Sequence, residues 1–327
     1  MSRSANGLTR IGLMVGSDKE RARRDRFAGL MDDATAAENA GFASFWMPQV
    51  PGYLDAMTAL ALIGQATDHI ELGTAVMPIQ TRHPMIMAQQ ALTTQEVCSG
   101  RFALGIGASH HWIVEGQLGL PYDKPAHLVR DYLDVLEPLL AGVGAVDVEN
   151  ASYRVHSSID VTDISTTPIL LAALGPKMLR LAAERTQGTI LWMADERAIG
   201  DHIAPKITKA AADAGRPAPR IVAGIPVCLC APSQVDDAKE RANRILGEAE
   251  VSPNYQRLLE RGDARDVGDL CAAGDEEGIL SRMRRFADAG VTDLSVRLLP
   301  IGDNRDELIA SKRRTREMIA ALATELR

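Results

Sequence analysis

The sequence predicts a single (β/α)8 barrel domain over residues 1–327. Eight short apolar runs alternate with amphipathic helical stretches, a pattern typical of a parallel sheet whose strands are connected by helices. A chain of 327 residues is long enough for such a barrel, which needs about 250 residues before insertions. A doubly wound open sheet is the alternative, but eight strand-and-helix units favour closure.

The first half of the chain contains four predicted strands and the helices that follow them. The strands are expected at residues 11–15, 42–47, 70–77 and 101–106. The second helix, residues 55–67, carries Met57, Leu60 and Ala61 at helical spacing. Pro84 suits the first turn of the third helix, where its missing N–H is not needed. The fourth helix has one apolar face, formed by Leu128, Tyr132, Leu136, Leu139 and Leu140.

A small hairpin, predicted from the β-prone residues 146–162, separates this half from the second. Four more strands are expected at residues 169–174, 189–193, 220–230 and 293–299. Helices are expected from Pro176, at 195–214, 233–248, 253–271 and 276–289, and at a closing stripe of Met318, Ile319, Leu322 and Leu326. We expect insertions after the fourth and seventh strands, residues 109–125 and 247–275, to act as lids over the barrel mouth.

The composition argues against nucleic-acid and membrane partners. Hydrophobic residues make up 46% of the chain, charged residues 24%, and the net charge is −7, which is ordinary for a globular protein with a sizeable core. Because an acidic chain is repelled by nucleic acid and by anionic membranes, we expect a small-molecule partner instead. Residues 1–10 lack the apolar core of a signal peptide. No apolar run approaches the roughly 18 residues of a membrane helix.

The four cysteines predict buried thiols rather than a metal site. Cys228 and Cys230 alternate along a predicted strand, so both thiols share one face. Their spacing to Cys98 and Cys271 matches no zinc pattern. We therefore expect no metal, and a reducing, cytoplasmic location.

The ends of the predicted strands carry the residues that suggest a binding site, because the active site of a (β/α)8 barrel lies at the carboxyl ends of its strands. Residues 107–109 are Gly-Ala-Ser, and such small residues let a flat ligand approach the backbone closely. The three tryptophans, Trp46, Trp112 and Trp192, also fall on strand ends. They indicate either a pocket for a flat ring or packing at the barrel mouth.

A phosphate site is predicted where the fifth strand meets its helix, at Leu174, Gly175, Pro176 and Lys177. The start of a helix presents unpaired N–H groups and a partial positive charge, both of which attract phosphate. Lys177 adds a full charge. An ordinary surface lysine at a helix start is the alternative, and the small residues 107–109 favour the phosphate site.

The stretch from Gly100 to His110, with Glu115 and Gly119 after it, resembles the segment after the fourth strand of the luciferase-like, flavin-dependent oxidoreductases, which are TIM barrels. The resemblance covers residues 11–300 and is closest to the branch that uses the deazaflavin coenzyme F420. It rests also on residues 73–78, 82–84, 172–179, 215–220 and 289–293. It implies a flavin pocket, a homodimer, and a non-proline cis peptide between Ala75 and Val76 that backs the flavin ring.

The strand ends and the resemblance together imply a set of residues that bind the cofactor. They are Trp46, Gln49, Thr74, Ala75, Val76, Gly107, Ala108, Ser109, Leu174, Gly175, Pro176, Lys177 and Trp192.

One departure from the family concerns the proton. Many deazaflavin members end the second strand with Trp-x-x-Asp-His, whose two ionisable groups sit beside the ring. Residues 46–50 of this chain are Trp-Met-Pro-Gln-Val, so a proton donor has to come from elsewhere. The candidates, in order, are His110, Glu115 and His83, with water as a further alternative. An unperturbed imidazole titrates near pH 6.5, but the His110 ring could equally be hydrogen-bonded to backbone or to a cofactor phosphate.

The resemblance thus implies an oxidoreductase that transfers a hydride between F420 and a small organic substrate. A monooxygenase that uses reduced FMN from a separate reductase is the first alternative, and a non-catalytic flavin-binding barrel is the second. The expected homodimer would use apolar faces of the outer helices, such as that of Met57, Leu60 and Ala61, although such faces also pack on a barrel.

Overall fold

The structure is a computed structural model that describes residues 10–16, 25–161, 163–247 and 252–325. Within these residues, eight parallel strands form a closed barrel. The barrel strands are β1 (Arg10–Met14), β2 (Ser44–Met47), β3 (Glu71–Thr74), β4 (Phe102–Gly107), β5 (Ile169–Leu171), β6 (Gly188–Trp192), β7 (Arg220–Leu229) and β8 (Asp293–Leu298). Residues 1–9, the predicted hairpin end at 162, the predicted helix end at 248, and Leu326 lie outside the described residues.

The strands pair in sequence order around the barrel, and β8 returns to β1. β1 and β8 pair in parallel from Arg10 opposite Asp293 to Leu13 opposite Val296. β6 and β7 pair likewise, so that no gap interrupts the ring of eight strands in the described chain. The closure confirms the predicted (β/α)8 fold and excludes the open sheet.

One helix follows each strand on the outside of the barrel. The helices are α1 (Arg26–Asn39), α2 (Ala56–Gly64), α3 (Pro84–Val97), α4 (Pro125–Leu140), α5 (Pro176–Arg185), α6 (Ala204–Asp213), α7 (Glu276–Asp288) and α8 (Arg305–Glu325). Prolines begin α3, α4 and α5, at a position where no hydrogen bond is lost. Before α2, the Asp55 carboxylate accepts a hydrogen bond from the Thr58 N–H at 3.0 Å, as an N-cap does.

The core has an inner part and an outer part. The inner part fills the barrel with side chains that include Met14, Trp46 and Leu170. The outer part lies between strands and helices, and Met57 and Leu60 of α2 are fully buried in it. This face of α2 therefore packs inward and does not support the dimer that the sequence analysis attached to it.

A network of ion pairs closes the amino end of the barrel. Arg220, at the start of β7, donates to Glu71 Oε1 at 2.6 Å and to Asp293 Oδ1 at 2.7 Å. Arg10 pairs with the same two carboxylates. The guanidinium of Arg220 also lies 5.6 Å from the centre of the Trp46 ring. The network links β1, β3, β7 and β8 at one level of the barrel.

Two predicted strands end well before the sequence suggests. The strand predicted at 70–77 is interrupted, because β3 ends at Thr74 and only Met77–Pro78 resumes pairing with β4. The strand predicted at 169–174 ends at Leu171, which is the last residue that pairs with β6. In both cases the chain leaves the sheet at the carboxyl end of the barrel, where the loops diverge toward a cavity.

Both predicted insertions are present, and so is the hairpin. A short helix, His111–Val114, follows β4. After β7 come the helices Val235–Leu246, Pro253–Leu259 and Val267–Leu270 and the strand Ala272–Gly274. The hairpin pairs Ala145–Glu149 with Arg154–Ser158. The helix predicted at 195–214 is divided into Glu196–Ala198, a π-helix over Ile199–Ile203, and α6.

The cysteines are free and buried, as the sequence predicts. Burial raises the pKa of the Cys271 thiol to about 12, so this thiol stays protonated at neutral pH. Across the described part of the chain, no group of three or more His, Cys, Asp or Glu side chains could hold a metal ion. No helix in that part combines the length and the apolar character needed to cross a membrane.

Candidate active site

A cavity of about 570 Å³ opens at the carboxyl end of the barrel. Its lining comes from β1, β6 and β8, from the loops after β2, β3, β4 and β5, from α1 and α8, and from the insertion after β7. This is the end at which (β/α)8 barrels carry their active sites.

A bulge after β3 forms one wall of the cavity. The peptide bond between Ala75 and Val76 is cis, as the family resemblance implies, and both residues line the cavity. Two hydrogen bonds to β4 hold the residue before the bulge in place. The Thr74 hydroxyl donates to the Gly105 carbonyl at 2.8 Å and accepts from the Gly105 N–H at 2.9 Å. A Cβ on Gly105 would lie 2.0 Å from the Thr74 carbonyl oxygen, so only glycine permits this approach.

The loop after β4 places His110 in the cavity wall between two aromatic rings. Its ring lies 5.9 Å from that of Trp112, nearly parallel at 17°, and 5.4 Å from that of Tyr255. Ser109 precedes it with a φ of 57°, and the Ser109 carbonyl accepts a hydrogen bond from the Tyr122 hydroxyl at 3.0 Å. The aromatic contacts orient the imidazole toward the cavity that it lines.

Burial lowers the pKa of His110 below its ordinary value of 6.5, and the neighbouring His111 lowers it further. The imidazole is therefore mostly neutral at pH 7, and each neutral ring holds one N–H donor and one acceptor nitrogen. Burial also raises the pKa of the Tyr255 hydroxyl, with Tyr122 adding to the effect, so that Tyr255 contacts His110 as a neutral phenol.

The three tryptophans have two different positions. Trp112 and Trp192 line the cavity, and a Cβ on Gly224 would lie 2.7 Å from the Trp192 ring. Trp46 is fully buried, donates its Nε1–H to the Ser44 hydroxyl at 2.8 Å, and lies beside Arg220 near the amino end. The prediction that Trp46 forms a wall for the cofactor ring is therefore corrected, because its side chain points into the barrel.

The loop after β2 contributes Gln49 and Val50 to the cavity lining. The Gln49 Oε1 accepts a hydrogen bond from the Ala56 N–H at 2.8 Å, at the start of α2, so part of this side chain is committed to holding the loop. Neither residue titrates near neutrality. The position at which many deazaflavin enzymes carry Asp-His thus contributes no ionisable group here.

Several other predicted residues lie outside the cavity lining. Thr74 is fully buried and uses its hydroxyl on Gly105. Gly107 is buried where its Cβ would meet Val76 and Ala172, and Ala108 packs on the core beside it. These residues shape the bulge from behind, which is a different role from the cofactor contact predicted for them.

Two of the three predicted proton donors also lie outside the described cavity lining. His83 is exposed and caps α3, where its Nδ1 accepts from the Met85 N–H at 3.3 Å. Glu115 is exposed at the end of the helix His111–Val114 and is absent from the described lining. Of the three candidates, the structure brings only His110 into the cavity.

The predicted phosphate residues, Leu174, Gly175, Pro176 and Lys177, lie at the start of α5, beside the cavity rather than in its lining. Gly175, Pro176 and Lys177 are exposed. A Cβ on Gly175 would have nothing within 4 Å, so the first turn of α5 is open to an approaching group.

A second cationic feature, missed by the sequence analysis, adjoins this helix start. His202, in the π-helix, donates its Nε2–H to the Leu174 carbonyl at 3.0 Å. Its Nδ1 then accepts from the Lys206 ammonium at 2.9 Å and from the Arg261 guanidinium at 3.3 Å. Burial lowers the pKa of His202, and the positive charges of Lys206 and Arg261 lower it further. The hydrogen bond to the Leu174 carbonyl acts in the opposite direction and raises it. A neutral imidazole thus holds two exposed cations next to α5.

Other residues of the site gave weaker signals in the sequence. Tyr255 lies in the insertion after β7, which was predicted as a lid without a specific role. Arg297 lies in β8, and a charged residue inside an apolar strand is itself unusual. Arg241 and Arg244 also line the cavity, from the helix Val235–Leu246. Because arginines are common on helix surfaces, these two gave no signal in the sequence.

Comparison with known proteins finds a family model, a relative and two solved structures that are similar to this chain. The family model of the luciferase-like monooxygenases matches residues 7–293. A protein of Mycobacterium tuberculosis, provisionally named a coenzyme F420-dependent oxidoreductase, is 34% identical over 170 residues, which are 47% of this chain and 48% of that protein. The chain thus spans about half the length of this relative.

Two solved structures share the fold. The coenzyme F420-dependent tetrahydromethanopterin reductase of Methanopyrus kandleri superposes with a TM-score of 0.70 at 22% identity, over 96% of this chain and 97% of that one. The oxygenating constituent of 3,6-diketocamphane monooxygenase of Pseudomonas putida, in complex with FMN, superposes with a TM-score of 0.72 at 16% identity, over 96% and 97%.

Proposed function

This chain belongs to the luciferase-like monooxygenase family, and we propose that it is an oxidoreductase that transfers a hydride between coenzyme F420 and a small organic substrate. The observation that carries the proposal is the barrel-mouth cavity, whose lining includes Ala75, Val76, Ala172, Trp192 and His110. The relative and the structural neighbour named for F420 favour this coenzyme over FMN.

The cavity residues fit a flat ring. The bulge at Ala75 and Val76 offers an apolar surface, Ala172 lines the same cavity with only a methyl group, and Trp192 adds an aromatic face. The cavity volume of about 570 Å³ falls in the range of cofactor and ligand pockets. We assign these residues to contact with the ring.

The start of α5 fits a phosphate tail. Its open first turn at Gly175 presents backbone N–H groups and the positive end of the helix dipole. Lys177, Lys206 and Arg261 supply charge around it, and none of the three has a carboxylate partner among the described residues. We assign the tail phosphate to this cationic helix start.

When bound, the deazaflavin supplies hydride transfer, since it lacks the ring nitrogen through which ordinary flavin activates oxygen. The protein's part is to orient the ring, hold the tail and exclude water. His110 is the group in the described cavity lining that can hold or release a proton near neutral pH. We assign to its imidazole the delivery of the proton that accompanies the hydride. The stacked ring of Trp112 and the tilted ring of Tyr255 hold the imidazole in place.

A monooxygenase that receives reduced FMN from a separate reductase is the second candidate, favoured by the FMN-bound structural neighbour. A barrel that binds a flavin without catalysis is the third, because the loop after β2 carries Gln49 and Val50 where an Asp-His pair would stand. In all three cases the same cavity and helix start bind the cofactor.

Titration of the protein with F420 and with FMN, followed by cofactor fluorescence, tests the proposal. F420 should bind more tightly. Lys177→Ala should weaken it more than tenfold, because a charge-assisted hydrogen bond contributes about 1.5 to 3 kcal/mol. Lys209→Ala is the matched control, since Lys209 is exposed on α6 and paired with Asp213. If the protein binds FMN and not F420, the monooxygenase becomes the better proposal. If it binds neither cofactor, both proposals are refuted.

The same proposal includes a homodimer and a cytoplasmic location. Family resemblance supports the dimer, and the free, buried thiols suit a reducing compartment. A separate F420 or flavin reductase would regenerate the cofactor.

A further inference from the structure

The insertion after β7 places a phenol in the cavity, next to the imidazole to which the proton is assigned. The phenol belongs to Tyr255, in the helix Pro253–Leu259, and both Tyr255 and His110 line the cavity. The centres of their rings lie 5.4 Å apart, and the ring planes are tilted by 43°. Tyr255 is half-buried, so part of its side chain is open to a ligand.

The hydroxyl of Tyr255 has no hydrogen-bond partner among the residues that the structure describes. Two other phenols are committed to backbone carbonyls, since Tyr122 donates to Ser109 at 3.0 Å and Tyr132 donates to Arg82 at 3.1 Å. A buried tyrosine hydroxyl usually finds such a partner. Burial raises the pKa of Tyr255, and nearby Tyr122 adds to the effect, so the phenol keeps its proton and is a hydrogen-bond donor at neutral pH.

Two sets of contacts fix the segment that carries Tyr255. Its ring packs with the Trp192 ring in a small apolar cluster between the end of β6 and the insertion. Farther along the insertion, the N–H groups of Asp263 and Ala264 donate to the Asp195 carboxylate at 2.5 and 2.9 Å. Asp195 follows β6 and is buried. The phenol therefore has a defined place relative to the barrel, as a donor to a bound ligand requires.

The chemistry of the described lining favours an uncharged oxygen as the acceptor. The lining contributes many apolar side chains, among them Val76, Ile113 and Leu246, and a single carboxylate, Asp33, which pairs with Lys312. A phenol and an imidazole both donate hydrogen bonds, and one carbonyl oxygen has two lone pairs to accept them. Because the two rings are in contact, an oxygen beside them lies within reach of both donors.

We propose that the substrate is a carbonyl compound whose oxygen accepts hydrogen bonds from the Tyr255 hydroxyl and the His110 imidazole. This inference rests on the proposed function, since the hydride comes from the coenzyme assigned there. As the hydride forms a C–H bond with the carbonyl carbon, the π bond breaks and its electron pair moves to the oxygen. The imidazolium of His110 gives its proton to this oxygen, and an alcohol results. Tyr255 keeps its own proton and stabilises the negative charge that develops.

The test compares cyclohexanone with methylenecyclohexane, which has the same ring and a CH2 group in place of the oxygen. Binding is followed by the fluorescence of Trp112 and Trp192, which line the cavity, in the cofactor-free and in the cofactor-loaded protein. Tyr255→Phe keeps the ring and removes only the hydroxyl. It should weaken cyclohexanone binding about three- to tenfold, as loss of one hydrogen bond does, and leave methylenecyclohexane binding unchanged.

The carbonyl stretch of bound cyclohexanone gives a second readout, because a hydrogen bond to the oxygen lowers its frequency. Infrared difference spectra should show a lower frequency in the wild type than in Tyr255→Phe. Tyr153→Phe is the matched control. It removes a phenol hydroxyl from the turn of the hairpin, outside the described lining, and should behave as the wild type in both measurements.

The proposal is overturned if Tyr255→Phe weakens both probes equally or weakens neither, or if the carbonyl frequency stays the same. Loss of cofactor affinity in Tyr255→Phe, with cyclohexanone binding intact, would also overturn it and assign the phenol to the cofactor. Failure of the proposed function is distinguishable, because it shows as an absence of F420 and FMN binding. The cyclohexanone titration of the cofactor-free protein depends on neither cofactor.

Discussion

At the scale of single residues, His110 carries the chemistry of the proposed site. If its imidazolium protonates the substrate, His110→Ala should lower kcat by about 10²- to 10⁴-fold, the usual contribution of general acid catalysis. Cofactor affinity should change little, because His110 contacts Trp112 and Tyr255 rather than the start of α5. His83→Ala is the control, since His83 is exposed and caps α3.

The pKa of His110 sets the direction of the pH dependence. Burial lowers this pKa below 6.5, so the protonated ring is populated only as the pH falls through that lowered value. The rate should therefore rise on acidification and level off below the His110 pKa. A profile of kcat against pH that is the same in wild type and His110→Ala would exclude this role and leave water as the donor.

Arg220 offers a test of the ion-pair network at the amino end. Burial opposes its charge, yet hydrogen bonds to Asp293 and Glu71 raise its pKa above the ordinary value. Arg220→Met would leave two partly buried carboxylates with only Arg10 as partner, which should cost about 3 to 5 kcal/mol of unfolding free energy. Urea denaturation measures the loss.

The control for Arg220 is an exposed ion pair. Arg154 and Glu149 pair on the hairpin with 71% and 61% of their side chains exposed, and such pairs contribute about 0 to 1 kcal/mol. If Arg154→Met and Arg220→Met shifted the denaturation midpoint equally, the network would be of no special importance to stability.

Individual residues show what the sequence could and could not predict. The sequence predicted that His110, Gln49 and Trp192 lie near one another. All three are at carboxyl ends of strands, and these ends surround one mouth in a parallel barrel. The direction of Trp46 did not follow, because one step of register decides whether a strand residue faces the barrel interior or the outer helices. The Lys206–His202–Arg261 cluster depends on a π-helix that has no simple signal in the sequence.

At the scale of elements, the bulge after β3 depends on a glycine in the neighbouring strand. A Cβ on Gly105 would lie 2.0 Å from the Thr74 carbonyl oxygen, which is a fixed backbone atom. Gly105→Ala should therefore push β3 from β4, cost at least about 1 to 3 kcal/mol as overpacking does, and weaken cofactor binding by moving Ala75 and Val76. Thermal unfolding and the cofactor titration measure both effects.

Gly247→Ala is the matched control for that variant. Nothing lies within 4 Å of a Cβ on Gly247, and its φ of −65° suits any residue, so stability and binding should stay unchanged. If Gly105→Ala bound the cofactor with unchanged affinity, the close contact of β3 and β4 would not position the bulge.

The elements also show where periodicity stops being informative. The count and order of strands were predictable because apolar runs and amphipathic helices alternate throughout. The interruption of the third strand was not predictable from hydrophobicity, because Ala75 and Val76 continue its apolar run. The strand nevertheless ends at Thr74, whose hydroxyl forms hydrogen bonds with Gly105.

At the scale of the whole molecule, the net charge gives the wrong impression of the cavity. A net charge of −7 predicts that the protein repels anions, whereas the described lining of the barrel mouth carries four cations and one carboxylate. The sequence could not show this, since Arg241 and Arg297 lie far apart in the chain and line one cavity only in the folded barrel.

Association of two copies is the remaining prediction at this scale. Leu62 on α2 is 51% exposed and Ile86 on α3 is 53% exposed, and these two helices pack side by side. If this face forms the expected dimer, the wild type should sediment as a dimer at micromolar concentration. Leu62→Asp combined with Ile86→Asp should shift it to a monomer, because a charge placed in an apolar interface loses its hydration.

The control is Ile309→Asp, an equally exposed apolar residue on α8, which should leave the sedimentation coefficient unchanged. A dimer that survives the double substitution but dissociates in Ile309→Asp would move the interface to α8. A monomeric wild type would remove the dimer from the proposal and leave the site complete within one chain, because the lining residues of the cavity come from a single copy.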